Sequence, residues 1–466
     1  MSKKSLLKPI IILCAVLLFL AGIAWLSVSL LTHAKNDKLL KTSEYNCVFL
    51  SMFPIDTFRE EDFSYYRTDD VLLLKYEIPS YRILKRYLKD VKLSENELHS
   101  VYLGIDPRKV SASQILELHE AFPEVTFEIF PVYRRLSDWT KDWHFEKTYN
   151  AYLDLTEKLL DHDFIHVYSF FAQEWLIADD ANYVKGNLLT ERVAGKVYVY
   201  ADVAHHCIFT KNNIANVFDS FNHLLIDAKE NGYRFPDLSS WDVVMFGDSI
   251  IGNYVGHDSI PGLLSAMTGA RTYNCGWGGA AASGTEASSG NSVINAYLTK
   301  DLSSIPAEIA ARDGIQKRLE DESASSGQNL LFVLHYGIND YLNGRPLDNA
   351  ADPLDAETFC GALRKMIETL RENRPDAKIL LIAPNSITCF ENGTRLLGET
   401  GTSLSDYADS VLRIASEYGL PVQDDYHDVI SAEIAEDYLE DQLHPNEYGR
   451  YKITKELIRR ISELHP

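Results

Sequence analysis

Short apolar runs alternate with helix-patterned segments along most of the chain, and that alternation leaves few folds open. In the first half the runs are CVFLSM (47–52), VYLGI (101–105), VTFEIF (125–130) and IHVYSF (165–170). Between them lie SASQILELHEAF (111–122) and NAYLDLTEKLLDH (150–162), whose apolar residues recur at helical spacing. Apolar strands separated by helices imply βαβ units and a parallel sheet covered on both faces. A long helical run, 212–232, leads into the Pro-containing segment RFPDLSS. A second alternation begins at Trp241, with runs VVMF (243–246), TYNC (272–275), LLFVLHY (330–336), KILLIA (378–383) and PVQ (421–423). Helices are expected over 259–268, 355–373, 404–418 and 446–463. Five strands alternating with helices predict a doubly wound three-layer sandwich. With 466 residues there is room for two or three domains. The pattern divides them into an α/β domain over 45–235 and a second over 239–466.

The N-terminus has a different character. Lys3, Lys4 and Lys8 mark a short basic tail, residues 1–8, ahead of the uncharged run PIIILCAVLLFLAGIAWLSVSLL (9–31). About 20 apolar residues span a bilayer as a helix, and the apolar core of a cleaved signal peptide is usually only about 7–15 residues long. The run therefore predicts a single transmembrane anchor, followed by a polar linker over 32–44. Lysines flank it on both sides, so the positive-inside count is nearly balanced. The short basic head favours a signal-anchor, which places the bulk of the chain outside the cytoplasm at the cell membrane. The formal net charge of −22 repels phosphate backbones and argues against a nucleic-acid partner. The six cysteines show neither CxxC pairs nor metal spacing, so no disulfide framework is expected. Asp-Val-Ala-His-His (202–206) is better explained by packing or surface than by a metal, and no metal or cofactor is expected.

In an open α/β sheet, sites form outside the carboxyl ends of the strands. The first strand of the second domain runs into Gly247-Asp248-Ser249, where Gly247 permits a tight turn. The second runs into Asn274-Cys-Gly-Trp-Gly-Gly279, the third into Gly337-Ile-Asn339-Asp340, and beyond the last lies Asp441-Gln-Leu-His444. Singly, each is as good a turn as a site. Together they suit nucleophilic acyl transfer. A serine hydroxyl needs a base to take its proton, and the base needs an acid to fix its tautomer. Ser249, His444 and Asp441 can fill these roles. The Ser249 and Gly279 N–H groups and the Asn339 amide can serve as oxyanion donors. The chain holds other Asp-x-x-His pairs, but only Asp441/His444 follows every predicted strand and opens the last helix.

Residues 241–466 resemble the SGNH (GDSL-type) hydrolase superfamily. The first block of that family matches FGDSI, with Ser249 as nucleophile and Gly247 and Asp248 beside it. The second resembles Asn274 to Gly279, with Gly279 as the oxyanion glycine and Gly278 or Gly276 as alternatives. The third matches Gly337 to Asp340, with Asn339 as oxyanion donor, and the last matches Asp441 and His444. The resemblance implies a flavodoxin-like sandwich and metal-free esterase, lipase, thioesterase or carbohydrate deacetylase activity. The segment 280–329 looks longer than a compact member needs and is expected to shape the cleft, with 280–292 as a loop. Residues 45–235 match no motif.

The expected protein is thus a membrane-anchored, extracytoplasmic serine esterase acting through an acyl-enzyme. Its partners would be an ester-bearing small molecule, glycan or lipid of the cell envelope. An acyltransferase using the same serine, and a non-catalytic envelope-binding scaffold on the same frame, are the alternatives.

Overall fold

The computed structural model describes residues 34–61, 70–92, 98–202, 207–310, 313–321, 329–389 and 401–464. The anchor expected over 9–31 lies outside the described residues, as do residues 203–206 of the Asp-Val-Ala-His-His stretch. Among the described residues no helix is long and apolar enough to cross a membrane. The chain divides into two units, Met1–Tyr233 and Arg234–Pro466.

The first unit is built on a parallel sheet of β1 (Cys47–Ser51), β2 (Val71–Leu74), β3 (Ser100–Ile105), β4 (Thr126–Pro131) and β5 (Ile165–Val167). Their order is β2-β1-β3-β4-β5. Every residue of β1 and β3 is buried, which is why these strands read as unbroken apolar runs rather than as alternation. Strand β2 was not anticipated. VLLL is too short for periodicity to separate a strand from a turn of buried helix. A small antiparallel pair, β6 (Tyr183–Lys185) and β7 (Leu188–Leu189), lies beyond β5. The linker expected over 32–44 is corrected in part, since residues 34–42 are helical. This helix is polar because it buries only one face: Leu40 is in the core, Asn36 Nδ2 donates to the Tyr87 hydroxyl (3.3 Å), and Asp37 pairs with Arg86 (3.1 Å).

The second unit is built on β8 (Trp241–Gly247), β9 (Arg271–Asn274), β10 (Asn329–His335), β11 (Lys378–Ile382) and β12 (Val422–Gln423). All are parallel, in the order β9-β8-β10-β11-β12. In chain terms this is the order of the first sheet: second, first, third, fourth, fifth. Helices 260–268 and 447–463 pack together, as do helices 290–299, 359–373 and 404–418. The cap residues set where they begin. Ser259 Oγ accepts the Gly262 N–H (3.0 Å), and Thr358 Oγ accepts the Gly361 N–H (3.2 Å); such caps contribute about 1 kcal/mol each. The Thr358 cap explains why the helix expected from 355 starts at 359. Residues 281–289 form turns, and helix 290–299 follows them. Leu331, Val333, Leu380 and Leu381 are fully buried at the centre of the sheet. At about 1.5–3 kcal/mol for each such side chain, this core holds the strand ends in fixed register.

Candidate active site

Strand β8 ends at Gly247, where β10 and Ile251 lie close against it. A Cβ at Gly247 would lie 2.8 Å from the His335 carbonyl oxygen and 2.8 Å from Ile251 Cγ1. The requirement is close approach, not the turn conformation expected from the sequence. Asp248 then caps the short helix Ser249–Gly252, its Oδ1 accepting the Ile250 N–H at 3.0 Å. Ser249 is the first helical residue and only 7% exposed.

His444 arrives on a turn just before helix 447–463. Asp441 Oδ1 accepts the N–H groups of Leu443 (3.2 Å) and His444 (2.7 Å), an Asx-type turn. The other oxygen, Oδ2, accepts from His444 Nδ1 at 2.7 Å. The Asp-x-x-His spacing lets one carboxylate bend the backbone and hold the ring together. The bend puts Gln442 at φ +70°, a conformation costing a side chain about 1–2 kcal/mol, and the Thr388 N–H holds it there through the Gln442 carbonyl (2.8 Å). With Nδ1–H turned to Asp441, Nε2 is left as an acceptor, and it lies 2.9 Å from Ser249 Oγ. Asn253 Nδ2 is 3.5 Å from the same nitrogen. Partial burial raises the Asp441 carboxyl, but the hydrogen bonds from the His444 N–H and ring outweigh it and hold it below the usual range.

The turn is braced from behind. Arg450 donates to the Pro445 carbonyl (2.5 Å), pairs with Glu440 (3.4 Å), and lies 3.9 Å from the centre of the Tyr254 ring. Tyr254 in turn donates to Glu440. None of these three side chains stood out in the sequence, since each is an ordinary surface type taken alone.

The oxyanion candidates lie on two loops that are tied together. Gly337 has φ +135°, and a Cβ there would also lie 3.1 Å from Pro384 Cγ, so glycine is required where β10 turns into helix Ile338–Leu342. Asn339 Nδ2 donates to the Ala280 carbonyl (3.1 Å), beside Gly279. Asp340 is buried and accepts the Ala282 and Ser283 N–H groups (2.9 Å each) and the Ser283 hydroxyl (2.6 Å). The Gly276 N–H is committed to Asn274 Oδ1 (3.1 Å). Gly279 stands in the left-handed region at φ +80°. Among the described residues its N–H has no acceptor, and the same holds for Gly278.

Beneath the Ser249 turn lies a buried polar cluster that the sequence reading missed. His335 Nδ1 is 3.6 Å from Asp248 Oδ1, and both side chains are fully buried. Neither ring nitrogen of His335 has a hydrogen-bond partner, nor do Asp248 Oδ2 and Asp425 Oδ2. Burial pushes Asp425 up to about 7, against the pull of His335. For His335 burial disfavours the charge, but Asp248 and Asp425 outweigh it and the imidazole is raised. The only sequence signal was a histidine next to the end of the otherwise apolar run LLFVLHY.

Serine, histidine and aspartate thus stand in one hydrogen-bonded line beyond the strand ends of a parallel α/β sheet. Residues 245–451 match the model of the GDSL-like Lipase/Acylhydrolase family. That segment, a little under half of the chain, is an SGNH-type hydrolase segment. A comparison with curated proteins gives no match. Among solved structures, the chain is similar to a protein from Lactobacillus plantarum, with 22% identity over 50% of this chain and 99% of that one, at a TM-score of 0.37. It is also similar to an M. smegmatis aryl esterase (15% identity, 48% of this chain and 99% of that one, TM-score 0.32). A salicylyl-acyltransferase from a tetracycline biosynthetic pathway shares 14% identity over 51% of this chain and 56% of that one, with a TM-score of 0.29.

Proposed function

We propose that the protein is a serine esterase working through an acyl-enzyme. The observation that carries this reading is the unbroken line from Ser249 Oγ to His444 Nε2 (2.9 Å) and from His444 Nδ1 to Asp441 Oδ2 (2.7 Å). Ser249 Oγ attacks the ester carbonyl while His444 Nε2 takes its proton, and Asp441 stabilises the imidazolium. The Ser249 N–H, the Gly279 N–H and Asn339 Nδ2 receive the oxyanion. His444 returns the proton to the leaving alkoxide, and the acyl group stays on Ser249. Water, deprotonated by His444, then attacks the acyl-enzyme, and collapse of the second intermediate frees the carboxylic acid and Ser249.

The uncharged run 9–31 supports a single-pass anchor, and the short basic head before it supports an orientation with the bulk of the chain outside the cytoplasm. An enzyme so placed meets O-acylated glycans and lipids of the cell envelope, and these are the proposed substrates. The test is a fluorophosphonate probe on the full chain, with the labelled peptide located by mass spectrometry beside Ser249→Ala. Label on Ser249, lost in the variant, supports the reading. Folded protein that takes no label, or takes it elsewhere, overturns it. Recovery of the full chain in the soluble fraction would overturn the anchor alone.

A further inference from the structure

The first sheet repeats the strand order of the second, and it too opens between the segments that follow its first and third strands. In the second sheet those segments carry Ser249, after β8, and Asn339, after β10. In the first they are Met52–Asp56, after β1, and Asp106–Lys109, after β3, and they border a cavity of 490 Å³. Between β1 and β3 the strand order reverses, which is where open α/β sheets bind ligands. The volume is that of a small-molecule site. Glu77 beyond β2 and Val132 beyond β4 complete the walls, and the β6–β7 turn adds Lys185 and Asn187.

The polar lining is built in part before any ligand arrives. Asp106, with a side chain 7% exposed, accepts Arg108 Nε (2.9 Å), Nη2 (2.7 Å) and backbone N–H (3.0 Å). The guanidinium is therefore held in place at the cavity wall. Lys109 lies 3.9 Å from the same carboxylate. Burial and the neighbouring Asp56 push the Glu77 carboxyl up while Lys109 pulls it down, so these groups share one environment.

The charges select the ligand. Asp56, Glu77 and Asp106 balance Arg108, Lys109 and Lys185. An anion would face the carboxylates, and a cation the ammonium groups. A hydroxyl satisfies both, donating to a carboxylate and accepting from Arg or Lys. Met52, Phe53 and Pro54 supply an apolar side for a C–H face. Among the described residues no serine, cysteine or histidine lines the cavity, so the described lining is suited to binding rather than acyl transfer. We propose that the first unit binds a neutral polyhydroxylated ligand, a short stretch of glycan, in the cavity between β1 and β3. This holds whether or not Ser249 is a nucleophile.

The test uses the full chain carrying Ser249→Ala, which removes turnover. Saturation-transfer NMR is recorded with cellotetraose, chitotetraose and xylotetraose, with glucose 1-phosphate as the anionic comparator. At least one neutral tetrasaccharide should be saturated. Glu77→Gln, an isosteric change at a partly exposed side chain, and Arg108→Gln should each weaken it tenfold or more, with thermal unfolding confirming that each variant is folded. Three results would overturn the proposal: no neutral tetrasaccharide bound, only the phosphate bound, or binding undiminished in a folded Glu77→Gln variant. The last would place the sugar elsewhere, including at Ser249.

Discussion

The Asp441 carboxylate grips His444 twice, accepting its backbone N–H through Oδ1 and its ring Nδ1 through Oδ2, both at 2.7 Å. The two contacts can be separated by mutation. Asp441→Asn keeps an oxygen for the backbone bond but no longer offers a carboxylate to the ring. Asp441→Ala loses both and releases the turn that holds Gln442 at positive φ. Asp441→Asn is expected to lower kcat about 10³–10⁴-fold through the wrong tautomer, with little change in thermal stability because the Asp441 side chain is 54% exposed. Asp441→Ala should lower both. Steady-state kinetics beside a melting curve checks this, and equal melting temperatures for the two variants would remove the structural half of the claim.

Among the described residues the Asn339 side chain makes one hydrogen bond, from Nδ2 to the Ala280 carbonyl (3.1 Å), and its second amide hydrogen is the proposed oxyanion donor. Asn339→Ala should cost about 10²–10³-fold in kcat with KM nearly unchanged, the signature of a donor used only in the transition state. Asn339→Asp, similar in shape but negative, should cost more than Asn339→Ala. The reverse order would mean that the residue acts by shape alone.

Two parts of the candidate site that could be read in advance share one property. Each sits where a buried strand ends, and the end of an apolar run is visible in a sequence; Asp441 and His444 were read instead from their spacing and their place before the last helix. Gly247-Asp248-Ser249 after β8 and Gly337-Ile-Asn339-Asp340 after β10 are of this kind. The strands of the second sheet were legible from the alternation of short apolar runs with helices, down to the two residues of β12 and including β9, which is only partly buried. What escaped depends on contacts between distant segments. His335 looks like one more strand residue until β8 places Asp248 beside it. Arg450, Glu440 and Tyr254 look like surface residues until helix 447–463 folds back over the turn. The role of Gly247 was misjudged because a close neighbour strand leaves no trace in local sequence. Strand β2 was lost to its shortness.

Gly337 tests how tightly the oxyanion loop is specified. At φ +135°, with Pro384 Cγ 3.1 Å from where a Cβ would stand, Gly337→Ala is strained by both conformation and contact. The expected destabilisation is about 1–3 kcal/mol, read as a lowered melting temperature at about 2–4 °C per kcal/mol. Relief of the strain should also swing Asn339 from its place, so kcat falls in the protein that remains folded. A variant with unchanged melting temperature and kcat would show that the loop is not under this constraint.

The buried cluster makes stability depend on pH with a definite sign. Asp425 is pushed up to about 7 from 3.8, by burial above all, with Asp424 and Glu456 adding and His335 and Gln423 opposing. His335 is raised above 6.5 once Asp248 and Asp425 outweigh its burial. Lys452 also feels Asp425. For both Asp425 and His335 the folded state holds its proton to higher pH than the unfolded state, so their contribution is whole below the unfolded value and is lost as pH rises through the folded one. For Asp425 that window runs from about pH 4 to about pH 7, and the loss is at most on the order of 4 kcal/mol. Asp425→Asn carries an uncharged amide at every pH and keeps an oxygen for Gln423, whose Nε2 donates to Asp425 Oδ1 at 2.7 Å. The melting temperature of the variant minus that of the unaltered chain should therefore climb between pH 4 and pH 7, with Asp425→Asn the more stable protein at pH 7.5. Subtraction cancels the acid sensitivity of the other carboxylates, and a difference that stays flat across the window would show that Asp425 does not hold its proton in the fold.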